Sequence, residues 1–302
     1  PSSCSTPPPR VSSCSGLVVA AKQGRNKNPV AIDVNVEPPF VEALVAAFGT
    51  VKEYICTFGE LNHIAHLHAW ERSGAAINAP RSEAQYCVDL KLYSKGFGYA
   101  KAMRFSAVRK IAEANGFIPC KKTKPYRPGI IFRFDNLVIG TMPLKGHSPA
   151  HVAAVLVNER VLFMESLAAT GDGATRRSMA GACGLPQCSL PKLIRDLELV
   201  RTVFLEHADT LVAGGRVSHR PDTSEIDRMI EAIHDDNRLV REAMNSLSPL
   251  PKSEKKRVRA LLDRGLFMPE GVMADDSHAR MQEFRAAWAI RHHLRDRLAP
   301  SH

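Results

Sequence analysis

His151-Val152-Ala153-Ala154-Val155-Leu156-Val157 is an apolar run headed by an imidazole, and Val161-Leu162-Phe163-Met164-Glu165 is a second run that ends on a carboxylate. The polar Asn158-Glu159-Arg160 between them reads as a turn, so the two runs form a hairpin. An acid and a histidine then sit at its open end. A carboxylate beside an imidazole orients the ring and stabilises its charged form, which is half of a nucleophilic site. A three-residue turn sets Ala153 opposite Glu165 and leaves His151 on the same face, within diagonal reach. A two-residue turn puts His151 on the other face. His147 is a second candidate for the imidazole. Burying Glu165 costs several kcal/mol unless it is paired, which a functional partner or a structural salt bridge would satisfy equally.

The flanking sequence predicts an α+β fold, a mixed sheet core flanked by helices. Residues 31–36 alternate like a strand. Pro38-Pro39 opens a helix with Phe40, Leu44, Val45 and Phe48 on one face, ending at Gly49. A helix is expected over 59–72, a strand over 86–93, and a helix over 101–115 with Gly116 as its C-cap. Residues 130–139 read as a strand or hairpin around Asp135-Asn136, and 197–205 as a strand. Beyond residue 220 the pattern turns helical. Asp222 or Thr223 caps a long helix with Ile226, Met229, Ile230, Ile233, Val240 and Met244 on one face. Basic helices follow over 255–262 and 284–298. The expected division is a disordered Pro- and Ser-rich leader over 1–30, an α+β catalytic-like core over 31–220, and a helical basic region over 221–302.

A hydrophobic fraction of 44% and a charged fraction of 24% over 302 residues describe an ordinary globular protein. The net charge of +10 suits an anionic partner, whether nucleic acid, a phosphorylated ligand or an acidic membrane face. No apolar run approaches the roughly 18 residues of a membrane helix. Seven cysteines, an odd count without framework spacing, read as reduced thiols, and Cys183 and Cys188 lack the companion pair of a zinc site. His63, His66 and His68 look at first like metal ligands, but they read as a polar helix surface because only His63 and His66 share a face. No metal site is assigned. Gly96-Phe97-Gly98 and Gly171-Asp172-Gly173 lack the strand-to-helix context of a dinucleotide loop and read as turns.

Three motifs in common order resemble the YopJ family of bacterial type III effectors. They are the His151–Glu165 unit, Leu185-Pro186-Gln187-Cys188, and Ile233-His234-Asp235-Asp236-Asn237. The resemblance implies a cysteine-protease-like core and a catalytic set of His151, Glu165 and Cys188. It implies transfer of acetyl from acetyl-CoA to Ser, Thr or Lys of host proteins, and secretion from a bacterium into the host cell, cytosolic or membrane-peripheral there. Inositol hexakisphosphate, the family's activator, would suit the cluster Lys255, Lys256, Arg257 and Arg259. The family's nucleophile lies beyond the Leu-Pro-x-Cys cysteine, and no cysteine follows Cys188 here. Either Cys188 has taken the role or the chain has lost it. Two rivals stand beside this reading. One is a papain-like peptidase with Cys87 or Cys120 as nucleophile and His151 as base. The other is a non-enzymatic protein that binds nucleic acid or a partner through its basic C-terminal helices.

Overall fold

The computed structural model describes residues 16–19, 29–134, 137–165, 167, 178–268, 276–296 and 298. Within them run, in chain order, β1 (Leu17–Val19), β2 (Val30–Ile32), α1 (Pro38–Phe48), β3 (Glu53–Ile55), α2 (Leu61–Ile64), α3 (Leu67–Arg72) and β4 (Ala76–Pro80). Next come α4 (Leu90–Gly96), α5 (Phe105–Ala114), β5 (Lys124–Tyr126), β6 (Ile131–Phe134), β7 (Leu137–Pro143), β8 (Val152–Leu156) and β9 (Val161–Met164). The remainder is α6 (Ala180–Cys183), α7 (Leu190–His207), β10 (Thr210–Ala213), β11 (Arg216–His219), α8 (Ser224–Asn245), α9 (Glu254–Leu262) and α10 (Asp276–Arg295).

The strands form two sheets. The first has the order β1-β2-β3-β4-β5, with β2 to β5 parallel and β1 antiparallel at the edge. The second has the order β11-β10-β9-β8-β7-β6, antiparallel except where β10 runs parallel to β9. Side chains alternate across each strand and so sort into layers. Ala31, Tyr54 and Ile77 face out of the first sheet onto Val41, Trp70 and Ile111 of α1, α3 and α5. Val30, Ile32 and Ile55 face inward against Ile139, Val152, Ala154 and Phe163 of the second sheet. The outer face of that sheet, with Leu162, Met164 and Leu211, packs on Leu197, Phe204, Ile226 and Met229 of α7 and α8. The result is helix, sheet, sheet, helix in four layers. A smaller core, Val240, Val258, Leu261 and Ile290, joins α8, α9 and α10.

The α+β class, the central hairpin, α5 and the C-terminal helices match the sequence expectations; several local readings do not. The expected strand over 197–205 is the heart of α7. Its buried residues Leu193, Leu197, Val200 and Phe204 step by four, three and four, a helical period that a short apolar run conceals. The expected strand over 86–93 is a 3-10 turn followed by α4, because Asp89 accepts from Lys91 N at 2.7 Å and starts a helix. The helix expected over 59–72 breaks between Ile64 and Leu67. On α1 it is Val41 that is buried, while Phe40 and Phe48 are exposed. Of the expected leader, Leu17–Val19 pairs with Val30–Ile32 as β1; residues 1–15 and 20–28 lie outside the described residues, as does Gly171-Asp172-Gly173. No helix among the described residues is long and apolar enough to cross a membrane.

Candidate functional site

In open α/β sheets the loops after the carboxyl ends of parallel strands collect functional groups. Here Asp33 follows β2, the segment from Thr57 to Glu60 follows β3, and Glu83 follows β4. The loop between β7 and β8 brings His147, Ser148 and His151 to the same place, and Val152 N donates to Thr57 O at 3.1 Å to tie the two sheets together there. All these groups are buried: His63, His151, Asp33 and Phe58 are completely enclosed, His147 and Ser148 nearly so.

The contacts form a closed network. Asp33 accepts from Thr57 N at 2.8 Å and from the Thr57 hydroxyl, and lies 3.2 Å from His63 Nδ1. Glu83 accepts from Gly59 N at 2.6 Å and from Ser148 Oγ at 2.9 Å. A Cβ on Gly59 would come within 2.7 Å of the Glu83 side chain, so this approach requires glycine. His147 and His151 face each other, Nδ1 to Nδ1, at 3.2 Å. The ring of Phe58 sits among all three imidazoles, with centroids 4.8 Å from His147, 5.3 Å from His151 and 5.6 Å from His63. Arg285, from α10, forms an ion pair with Glu60 and donates to Gly181 O at 2.8 Å.

Burial governs the protonation of this network. Desolvation, reinforced by the Arg285 charge and by His63, lowers His147 to about 3. Burial and the neighbouring His147 push His151 well below its ordinary value. Burial raises Glu83 to about 7, against the hydrogen bonds from Gly59 and Ser148 that favour its charged form. A consequence for stability follows. Both histidines stay neutral in the folded protein but take up protons in the unfolded chain below their ordinary value of 6.5. Their contribution is therefore lost as pH falls from about 6.5 towards 3. Glu83 acts in the opposite sense: between its ordinary 4.5 and about 7 it holds a proton only in the folded state. The two histidines together outweigh the single glutamate, so the stability this centre contributes should fall as pH drops below about 6.5. Urea midpoints across that range check this; a midpoint that holds or rises as pH falls would contradict it.

The residues predicted from sequence are placed apart from one another. The hairpin pairs Ala154 with Phe163 and Leu156 with Val161, across a four-residue turn. Carried on, that register sets Val152 against Glu165, one residue off the pairing that would bring His151 and Glu165 to one face. Glu165 accepts from Gly215 N at 3.0 Å, while His151 faces His147 and Phe58. Cys188 lies in the core beneath α7, where its hydrogen bond raises the Cys183 thiol well above its ordinary value. Lys255, Lys256 and Arg259 are exposed on α9, and Arg259 is paired with Asp263 and Glu283, both at 2.8 Å. His63 and His68, expected on a polar surface, are buried. Phe58, Glu60, Glu83, Ser148 and Arg285 carried no signal in the sequence reading. Asp33, closing an apolar strand, offered the one local clue: a carboxylate there demands partners.

No family model matches the chain, and no curated protein matches its sequence. Solved structures do. A metallo-β-lactamase family protein from Thermus thermophilus superposes with a TM-score of 0.57 at 16% identity, over 92% of this chain and 86% of that one. Metallo-β-lactamase SMB-1, bound to 2-mercaptoethanesulfonate, superposes with a TM-score of 0.51 at 14% identity, over 76% of this chain and 91% of that one. The fold is therefore that of the metallo-β-lactamases and not cysteine-protease-like. This overturns the likeness to YopJ acetyltransferases and the papain-like alternative, and with them the assignments of acetyl-CoA and inositol hexakisphosphate. The three short motifs matched in order but lie in different structural settings: an antiparallel hairpin, the entry to α7 and the middle of α8.

A fold used by metallo-enzymes raises the question of a metal. Imidazole and carboxylate donors suit zinc, which in catalytic sites takes three protein ligands and keeps a position open for water. The described residues contain no group of three His, Cys, Asp or Glu side chains that could hold an ion. At the buried centre His63 Nδ1 is engaged by Asp33, His147 and His151 engage each other, and an apolar ring stands between them. Among the described residues the donors do not fit a metal.

Proposed function

We propose that this chain is a metal-free, non-hydrolytic binding protein built on the metallo-β-lactamase fold. The observation that carries the reading is the Phe58 ring seated among His63, His147 and His151, with the Arg285–Glu60 pair formed on the same loop after β3. Metal-assisted hydrolysis needs an ion, an open position and a water. The strand ends here are closed by an aromatic ring, which excludes water, and by a guanidinium, which supplies a positive charge that never titrates. Arg285 also anchors α10 over the strand ends through Gly181 O. Binding is supported by a separate open cavity of about 740 Å³ beside α2, within the size range of small-molecule sites.

A second reading, hydrolysis retained at the same centre, is favoured by the extent of the likeness to proteins named metallo-β-lactamases. The two are separated by turnover of a chromogenic cephalosporin and of p-nitrophenyl acetate with added zinc, before and after chelation. The binding reading expects the buffer rate throughout. Turnover that zinc supports and the chelator abolishes would establish the hydrolase and overturn it.

A further inference from the structure

The open cavity lies where α1 begins, α2 passes into α3 and α5 ends. Its polar lining includes a buried acceptor and two carboxylates. Asn62 Oδ1 is buried without a hydrogen-bond partner. The His68 ring, only 5% exposed, is held by a hydrogen bond to the Ala65 carbonyl. Burial lowers the His68 pKa, which leaves the ring neutral at pH 7, so it sets no positive charge against a cation there. Carboxylates line the cavity at Glu37 and Glu113.

Donors are scarce by comparison. The Asn35 amide is spent, its Nδ2 on Asn62 O at 2.6 Å and its Oδ1 on His66 N at 2.8 Å. Helix α1 opens with Pro38-Pro39, which carry no N–H to offer an anion. The neighbouring end of α5 is a C-terminus, the negative pole of a helix. No lysine or arginine lines the cavity among the described residues, in a chain whose Lys and Arg number 41 against 31 Asp and Glu. That contrast makes the local sign a property of the site rather than of the composition. The apolar lining includes Leu61, with exposed Phe40 and Ile118. An aromatic face together with carboxylates attracts a cation.

We propose that this cavity binds a small organic cation, an ammonium group carried on an apolar body. The proposal deepens the binding reading above and rests on it. Isothermal titration calorimetry with phenethylamine, 2-phenylethanol and 3-phenylpropionate tests it, since the three differ chiefly in the charge of one end. The amine should bind, with the alcohol and the acid each about tenfold weaker or worse. Glu113→Gln and Phe40→Ala, both surface changes that leave the fold intact by circular dichroism, should each weaken the amine about threefold. Binding of the acid or the alcohol as tightly as the amine overturns the ligand class and leaves the binding reading standing. No heat from any probe at millimolar concentration overturns the site. Zinc-dependent hydrolysis in the assay above overturns the parent reading whatever the amine does.

Discussion

Replacing Phe58 by alanine is expected to destabilise the fold by about 3–5 kcal/mol, as for other fully buried aromatic truncations. The ring is completely enclosed and meets Phe97 edge-on at 5.7 Å as well as the three imidazoles. Its removal forfeits those contacts and opens a void at the strand ends, beside the Val152–Thr57 bond that pins the two sheets to each other there. The void would be lined by imidazoles, so water can enter it, and that hydration limits the loss to the lower part of the range. Phe58→Leu keeps most of the volume and should cost about 1.5 kcal/mol. Urea unfolding of the three proteins gives the comparison. A loss below about 1 kcal/mol for the alanine variant would mean the ring does not fill the centre.

Arg285→Met should cost on the order of 3 kcal/mol, because it strands Glu60 without its partner. The side chains are 20% and 10% exposed, so solvent screening is partial and the effect exceeds that of a surface pair. Most of the cost is the uncompensated carboxylate rather than the lost arginine. Adding Glu60→Gln to Arg285→Met should therefore return stability to within about 1 kcal/mol of the parent, a coupling of about 2 kcal/mol or more. Urea midpoints for the two singles and the double close the cycle. Additive losses would show that the pair is an incidental contact of α10 and not the cap of the centre.

The parts of this fold legible from sequence are those with local chemistry. Apolar runs either side of Asn158-Glu159-Arg160 marked the hairpin, and Gly116, at φ +75°, marked the end of α5. Thr223, one of the two caps expected, stands at the start of α8. Of the first sheet the sequence shows only β2, read over 31–36, since β3 and β5 are three residues long, too short to display a period of two. Its order emerges only from crossover helices that bury its outer face. Residues 197–205 show the converse ambiguity, since a short apolar run fits strand and helix alike.

The candidate centre was hidden for a related reason. Its members come from the ends of several strands and from one late helix; Glu60 and Arg285 are 225 positions apart. The sequence offers His147 beside His151, and the structure brings the two into contact rather than choosing between them. Phe58 reads in sequence as one more apolar residue, and only the three imidazoles around it give it meaning.

The most direct test of the central claim is zinc affinity, measured by competition with a chromophoric chelator on the folded chain. A centre filled by Phe58 and capped by Arg285 should leave the chelator fully loaded, with Phe58→Ala and the parent alike taking no equivalent of zinc. Retention of one equivalent by the parent, lost in His147→Ala, would show that the imidazoles hold a metal after all and would contradict the account.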